Sequence, residues 1–349
     1  MQDASLYSKA KQRLTALVGD HDHNILKDGL TGIEKESLRV GADGSIAQTP
    51  HPAVLGSALT HPSITTDYSE ALLEFITPPL ESAGAALDYL RDLQHFVYMK
   101  LDGELLWSSS MPCVVAGGES IPVARYGSSN IGLMKTVYRR GLGYRYGRVM
   151  QVIAGVHYNY SFADAFWSAC QQLEGDRRPR QNYMSEQYFA LIRNQQRFGW
   201  LIPYLFGTSP AVCKSFLSGK TTTLQEFSDN TYYSPYATSL RMCDIGYQNS
   251  LENEVGFNAK YDSLPHYVTS LTCAIETPSP RFAEIGVKVD GIYRQLNANM
   301  LQIENEYYSS VRPKQVPVDN EKPTLALQRR GVRYVELRSM DINVFDPRG

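Results

Sequence analysis

The sequence predicts an α+β fold in a single domain spanning residues 1–349. Three observations lead there. Around residues 32–48, 67–76, 148–162 and 332–345 the side chains alternate or cluster as strands require. Around 5–18, 80–100, 185–200 and 265–275 apolar residues recur at helical spacing. The two kinds of segment do not alternate regularly, which favours helices laid on one face of a sheet over a parallel α/β layer. No internal repeat is visible. The polar stretches 170–182 (CQQLEGDRRPRQN) and 311–323 (VRPKQVPVDNEKP) read as loops, and neither divides the chain.

Residues 5–18 place Leu6, Ala10, Leu14 and Leu17 along one stripe, an amphipathic helix whose apolar side packs. GIEKESLRV at 32–40 is a strand, Asp43-Gly44 a turn and residues 45–48 a short return strand, together a hairpin. In the first strand Glu34, Glu36, Leu38 and Val40 share a face, and Ile33, Lys35, Ser37 and Arg39 share the other. Carboxylates beside Leu and Val are costly unless a hard cation such as Mg²⁺ compensates them, although a solvated hairpin carries the same pair. In 67–76, Leu72, Glu74 and Ile76 share a face, so Glu74 is an acid among hydrophobes or an edge-strand glutamate facing water. Asp67 caps the turn that follows or joins the acids.

Residues 80–100 set Ala85, Leu87, Leu90, Leu93 and Val97 on one stripe and Asp88, Arg91 and Asp92 outside it, a surface helix. RVMQVIAGVHYNYSF at 148–162 suits a central strand covered on both faces. Gln151, Ile153, Gly155, His157 and Asn159 share one side of it; Val152, Ala154, Val156, Tyr158 and Tyr160 share the other. An imidazole so placed is a satisfied structural group or a ligand for a divalent metal. In the last strand Tyr334, Glu336 and Arg338 share a face between Val332 and Met340, pointing an acid and a guanidinium into one cavity or forming a surface ion pair.

Composition removes several function classes. At 43% hydrophobic and 20% charged the chain is ordinary globular material, and a net charge of -2 offers no bulk attraction to nucleic acid or an anionic membrane. No apolar run of ~20 residues marks a membrane span, so the cytoplasm is the expected location. The five cysteines are odd in number, widely spaced and free of any C-x-x-C pair, so free thiols are expected rather than a disulfide framework or structural zinc. The 23 tyrosines suit an aromatic core or a pocket walled by phenols.

Taken together, GIEKESLRV, LGSALTHPSITTDYSEALLEFITP, AGVHYNY, RFGWLIPYLFG, SPYATSLR, LQIENEYY and YVELRSMDIN resemble the bacterial glutamate-cysteine ligases over the chain from about residue 30 onward. These long ordered blocks are far more specific than a lone E-x-E. The resemblance implies a glutamine-synthetase-like fold, a cupped, mainly antiparallel sheet with helices packed on its outer face. It implies Mg²⁺, with Mn²⁺ as a substitute, held by Glu34, Glu36, Asp67, Glu74, His157 and Glu336. It further implies Arg241 for carboxylate recognition, Tyr138, Gln151, Asn159, Tyr247 and Tyr308 as walls of the amino-acid pockets, and Arg338 with Glu336 as catalytic residues, Arg338 steadying phosphoryl oxygens.

The implied reaction joins the γ-carboxyl of L-glutamate to the amine of L-cysteine, with ATP as co-substrate, through γ-glutamyl phosphate, the first step of glutathione biosynthesis. A γ-glutamyl ligase for another amine and a non-catalytic amino-acid or nucleotide-binding homologue are the alternatives. The chain has neither G-x-x-x-x-G-K-[ST] nor G-x-G-x-x-G, and GLGYRYG at 141–147 does not replace them, so cations on an acidic sheet stand in for a glycine-rich phosphate loop. Relative to the resemblance, the chain is expected to lack a helical C-terminal part, which leaves room for an oligomer or a partner chain.

Overall fold

The computed structural model describes residues 2–19, 23–246, 257–319 and 321–349, with side chains described from Leu6 onward. The chain enters through helix α1 (Gln2–Gly19) and then builds β1 (Leu30–Val40), β2 (Ile64–Thr66), β3 (Leu72–Ile76) and helix α2 (Ala83–Tyr98). Strand β4 (Leu105–Leu106) leads to helix α3 (Asn130–Tyr146), β5 (Val156–Ser161), and helices α4 (Asp164–Leu173), α5 (Arg180–Phe198) and α6 (Leu201–Phe206). A small sheet follows from β6 (Ala211–Cys213), helix α7 (Lys214–Leu217), β7 (Gln225–Ser228) and β8 (Thr231–Tyr233). After helices α8 (Leu264–Glu276) and α9 (Pro280–Ile285) come the hairpin β9 (Lys288–Val289) and β10 (Ile292–Tyr293), strand β11 (Val311–Lys314), helix α10 (Pro323–Arg330) and β12 (Tyr334–Met340).

The main sheet runs β11-β12-β5-β1-β3-β2, with β4 paired to the end of β1, and every pairing in it is antiparallel. Directly opposed residues share a face in such a sheet. Glu34 lies opposite His157, Glu36 opposite Glu74, and Glu336 opposite Asn159, so the alternation read from the sequence brings these groups to one side.

The other face carries the helices. Ile33, Leu73 and Phe75 pack with Leu90 and Val97 of α2, whose first turn is capped by Ser82 Oγ accepting from the Ala85 amide at 3.1 Å. At the β11–β12 end, Val311 and Val335 pack with Tyr188, Phe189 and Ile192 of α5 and Leu271 of α8. On the inner side, beyond the acids, Leu38, Val40 and Leu72 join Tyr68 and Leu142 of α3, so α3 closes one end of the cup. Burying side chains such as Phe75 and Leu72 contributes about 1.5–3 kcal/mol each.

Several expectations need correction. The stretch 148–162 is not one strand: Gly147, at φ 81°, ends α3, a 3-10 turn covers Met150–Val152, and the strand begins only at Val156. Gln151 therefore leaves the strand on which its face was counted. The supposed loop 311–323 begins with β11, an edge strand in which Pro313 is tolerated because an edge needs only one side's hydrogen bonds. The supposed loop 170–182 is mostly the end of α4 and the start of α5, with Gly175 at φ 64° in the short turn between them. Residues 45–48 make only isolated bridges, Ile46 with Val40 and Ser45 with Val114. In α1, Leu6 and Leu14 are 65% and 52% exposed, and only Leu17 packs, against Ile25 and Ala169.

Candidate metal centre

Glu34, His157 and Glu336 come from β1, β5 and β12, and one ligand atom from each lies within 4.8 Å of the others. His157 Nδ1 is 3.2 Å from Glu34 Oε2 and 3.8 Å from Glu336 Oε1, and its Nε2 is 4.0 Å from Glu36 Oε1. Asn159 Nδ2 donates to Glu34 Oε1 at 2.9 Å, and the Gly155 amide donates to Glu36 Oε2 at 2.7 Å. Arg338 Nη1 donates to Glu336 Oε1 at 3.0 Å, and Lys314 Nζ lies 3.3 Å from Glu336 Oε2. Register slips between Leu337 and Met340, a bulge of the kind that re-aims side chains beside sites, and Arg338 stands in it.

The charges are under tension. Burial, then the Asp67 charge, pushes Glu36 up to about 8 despite Arg241 and Arg338. Burial followed by Glu34, Asp67 and Glu36 raises Glu74 well above the carboxylate range. Burial also acts against ionised Glu336, but Lys314, Arg338, His157 and Arg312 outweigh it and hold that carboxyl well below its usual value. Glu34 is likewise lowered: burial and Glu336 oppose its charge, and its own hydrogen bond to His157 together with the Lys314 charge more than offsets them. Burial, then Arg338, lowers His157, which keeps its imidazole neutral and able to ligate.

These residues fit a hard divalent cation. Carboxylate oxygens with one neutral imidazole are a suitable donor set, and the buried oxygens Glu336 Oε2 and Asn159 Oδ1 accept no hydrogen bond. Two acids directly opposed, as Glu36 and Glu74 are, repel unless a proton or a cation lies between them.

The remaining predicted residues are distributed around this cluster. Asp67 sits in the β2–β3 turn, near enough to raise both Glu36 and Glu74, and its carbonyl accepts from Arg139 Nε. Arg241 is 1% exposed; its Nη2 donates to the Arg338 carbonyl at 2.9 Å, and its guanidinium lies against Gly155. Tyr308 Oη donates to Gln151 Oε1 at 2.8 Å, and Tyr308 lines a cavity of about 670 Å³ that also includes Met242, Arg193 and Lys260. Tyr138 packs with the Leu142 cluster, and burial raises its phenol far above the usual range. Tyr247 lies outside the described residues.

Lys314 and Arg139 were not anticipated. Lys314 lay in the supposed loop, where the every-other-residue cations Arg312 and Lys314 around Pro313 were the available strand signal. Arg139 reaches Asp67 from α3 and stacks over the Tyr126 ring at 4.6 Å, a long-range placement with no local signature.

An antiparallel sheet with carboxylates, an imidazole and guanidinium groups converging on one face is the α+β arrangement expected of the glutamine-synthetase-like fold that the resemblance implied. The family model for glutamate-cysteine ligase matches residues 14–349. The chain belongs to the glutamate-cysteine ligase family. It is 56% identical over 344 residues to the glutamate-cysteine ligase of Alcanivorax borkumensis, covering 97% of this chain and 65% of that protein. With that of Pseudomonas entomophila it shares 52% over 349 residues, 100% of this chain and again 65% of the relative. The chain thus spans about two-thirds of the length of the curated relatives it matches. Among solved structures it resembles the Francisella tularensis glutamate-cysteine ligase in complex with AMP, with a TM-score of 0.85 and 41% identity, covering 92% of this chain and 63% of that one. A bifunctional glutathione synthetase from Pasteurella multocida superposes with a TM-score of 0.72 at 28% identity, covering 93% of this chain and 37% of that one. Among the described residues no helix is long and apolar enough to cross a membrane.

Proposed function

We propose that the protein joins the γ-carboxyl of L-glutamate to the amine of L-cysteine at the expense of ATP, by way of γ-glutamyl phosphate. The observation that carries this reading is the convergence of Glu34, His157 and Glu336 beside Arg338 and Lys314. A carboxylate is a poor electrophile, and phosphorylating its oxygen gives an acyl phosphate from which phosphate leaves when the amine attacks. Glu34, Glu36, Asp67, Glu74, His157 and Glu336 would hold Mg²⁺, which when bound neutralises phosphate charge and aligns the transfer.

In this reading Arg338, held by Glu336, steadies phosphoryl oxygens, and Lys314 offers a second cation at the same carboxylate. Arg241 recognises a substrate carboxylate, a planar acceptor that suits its guanidinium. Asn159, Gln151, Tyr308 and Tyr138 form the amino-acid pockets, and Tyr247, which the resemblance adds to them, lies outside the described residues. Every group assigned to Mg²⁺ or phosphate comes from the one sheet and its turns, which supports reading residues 1–349 as one domain.

Phosphate release tests the reading. It should require glutamate, cysteine, ATP and Mg²⁺ together and yield a γ-glutamylcysteine product by mass spectrometry. Glu336→Gln, close to isosteric, should lower turnover by at least about 10²-fold, the scale of losing one electrostatic contact at the transferring group. Near-parental turnover in that variant would remove Glu336 from the site, and release without cysteine or with another amine preferred would overturn the acceptor.

A further inference from the structure

Away from the carboxylates, the side chains of Cys113 and Cys213 meet with their Sγ atoms 3.1 Å apart, although 100 positions separate them in sequence. Nothing in the ligation chemistry uses them. Their backbones are held from several sides. The Val114 amide donates to the Gly44 carbonyl at 3.2 Å, and Ser215 Oγ donates to the Cys113 carbonyl at 3.0 Å while accepting from the Val115 amide at 3.1 Å. Gly44, at φ 78°, lies so close that a Cβ there would sit 3.4 Å from Cys113 Sγ. Cys213 ends β6, paired with Thr231 of β8, and the Lys214 amide donates to the Asn230 carbonyl at 2.8 Å. The thiols therefore meet because two fixed segments bring them together.

We propose that Cys113 and Cys213 form an oxidisable dithiol that closes to an intramolecular disulfide on reaction with a low-molecular-weight disulfide. The thiolate of Cys113 attacks one sulfur of the oxidant R–S–S–R, forming a mixed disulfide and expelling the first thiolate. Cys213 then gives up its proton and attacks the Cys113 sulfur, forming the protein disulfide and expelling the second. Two protein thiols are oxidised, one external disulfide is reduced to two thiols, and the two cysteine protons pass to the leaving thiolates. The sulfurs must close by about 1 Å to reach a bond of ~2.05 Å, a side-chain adjustment. Both cysteines are partly exposed, so a small disulfide can reach them. Burial, then the Cys113 thiol, pushes the Cys213 thiol up to about 12, which suits Cys213 to the second, resolving step.

The bond would fasten the small sheet to the main body. The chain entering β6 passes Ser209, whose Oγ donates to Asp341 Oδ2 at 2.6 Å and whose carbonyl accepts from the amide of Leu240, next to Arg241. Met111 and Ile153, on the other side of the junction, already pack with Val212 and Leu240. Closing a long loop here restricts the unfolded chain and raises stability.

The test uses the reduced protein incubated with hydroxyethyl disulfide at about pH 8.5. The mass should fall by two hydrogens, two of the five free thiols should disappear, and a peptide map should join Cys113 to Cys213. The melting temperature should rise by roughly 5 °C and return with dithiothreitol. Cys113→Ser and Cys213→Ser should show no such rise, while Cys273→Ser should respond as the parent does. Full retention of thiols in the folded protein, a lasting hydroxyethylthio adduct on either cysteine without closure, or a map pairing other cysteines would each overturn the proposal.

Discussion

Glu36 and Glu74 stand opposite each other on neighbouring strands, and neither holds its charge easily there. The folded value of Glu36 is raised to about 8, so its contribution to stability is present at acid pH and is lost as pH rises through that value. The metal-free protein should accordingly weaken progressively from about pH 4.5, the ordinary glutamate value, up to about pH 8 and change little from this group beyond it. Mg²⁺ bound between these acids would reverse the sign by favouring the ionised forms, so the rise in melting temperature that it produces should be larger at about pH 8.5 than at 6.5. Calorimetry in two buffers of different ionisation heat should show proton release on binding at the lower pH. A Mg²⁺ effect independent of pH would separate the metal from these two acids. At this scale much of the cluster was legible: the pleat set Glu34 with Glu36, His157 with Asn159, and Glu336 with Arg338 on one face of each strand, because a period of two needs no knowledge of the partner strand. Lys314 and Arg139 were not legible, since each reaches the site from an element whose position only the tertiary fold determines.

Elements tell a similar story with different errors. Strands β1, β3 and β12 could be read from alternation, whereas β11 could not, because Pro313 and its charged neighbours have the composition of a loop and only pairing with β12 makes them a strand. Strand β5 was drawn too long, for the chain first makes a 3-10 turn and then passes Gly155. That glycine is a contact requirement: a Cβ there would lie 2.1 Å from Arg241 Nη2 and 2.4 Å from its Cζ. Gly155→Ala must therefore displace the guanidinium or the strand, an overpacking of about 1–3 kcal/mol. If Arg241 grips the substrate carboxylate, KM for glutamate should rise about tenfold or more, with KM for ATP changing far less, in steady-state assays with the other substrates saturating. An unchanged glutamate KM in a folded variant would remove Arg241 from that role.

For the whole molecule, the acidic cluster is a junction between distant parts of the sequence. β1 and β3 bring Glu34, Glu36 and Glu74 from the first quarter of the chain, β5 brings His157 from its middle, and β12 brings Glu336 from its end. In the metal-free state the strands meet with acids facing each other, and Lys314 and Arg338 supply the local compensation at Glu336. A divalent ion bound by all three parts should stabilise them together, because opening any one strand would break its coordination. Hydrogen exchange followed by mass spectrometry should thus slow at β1, β3, β5 and β12 in concert when Mg²⁺ is added, while the small sheet β6-β8-β7, which supplies none of these ligands, should change little. In Glu336→Gln the protection should vanish at β12 and weaken at β1. Protection confined to β1 and β3 in the parent protein would mean that the cation sits on the Glu36–Glu74 pair alone, and that Glu336 serves Arg338 and Lys314 rather than a metal.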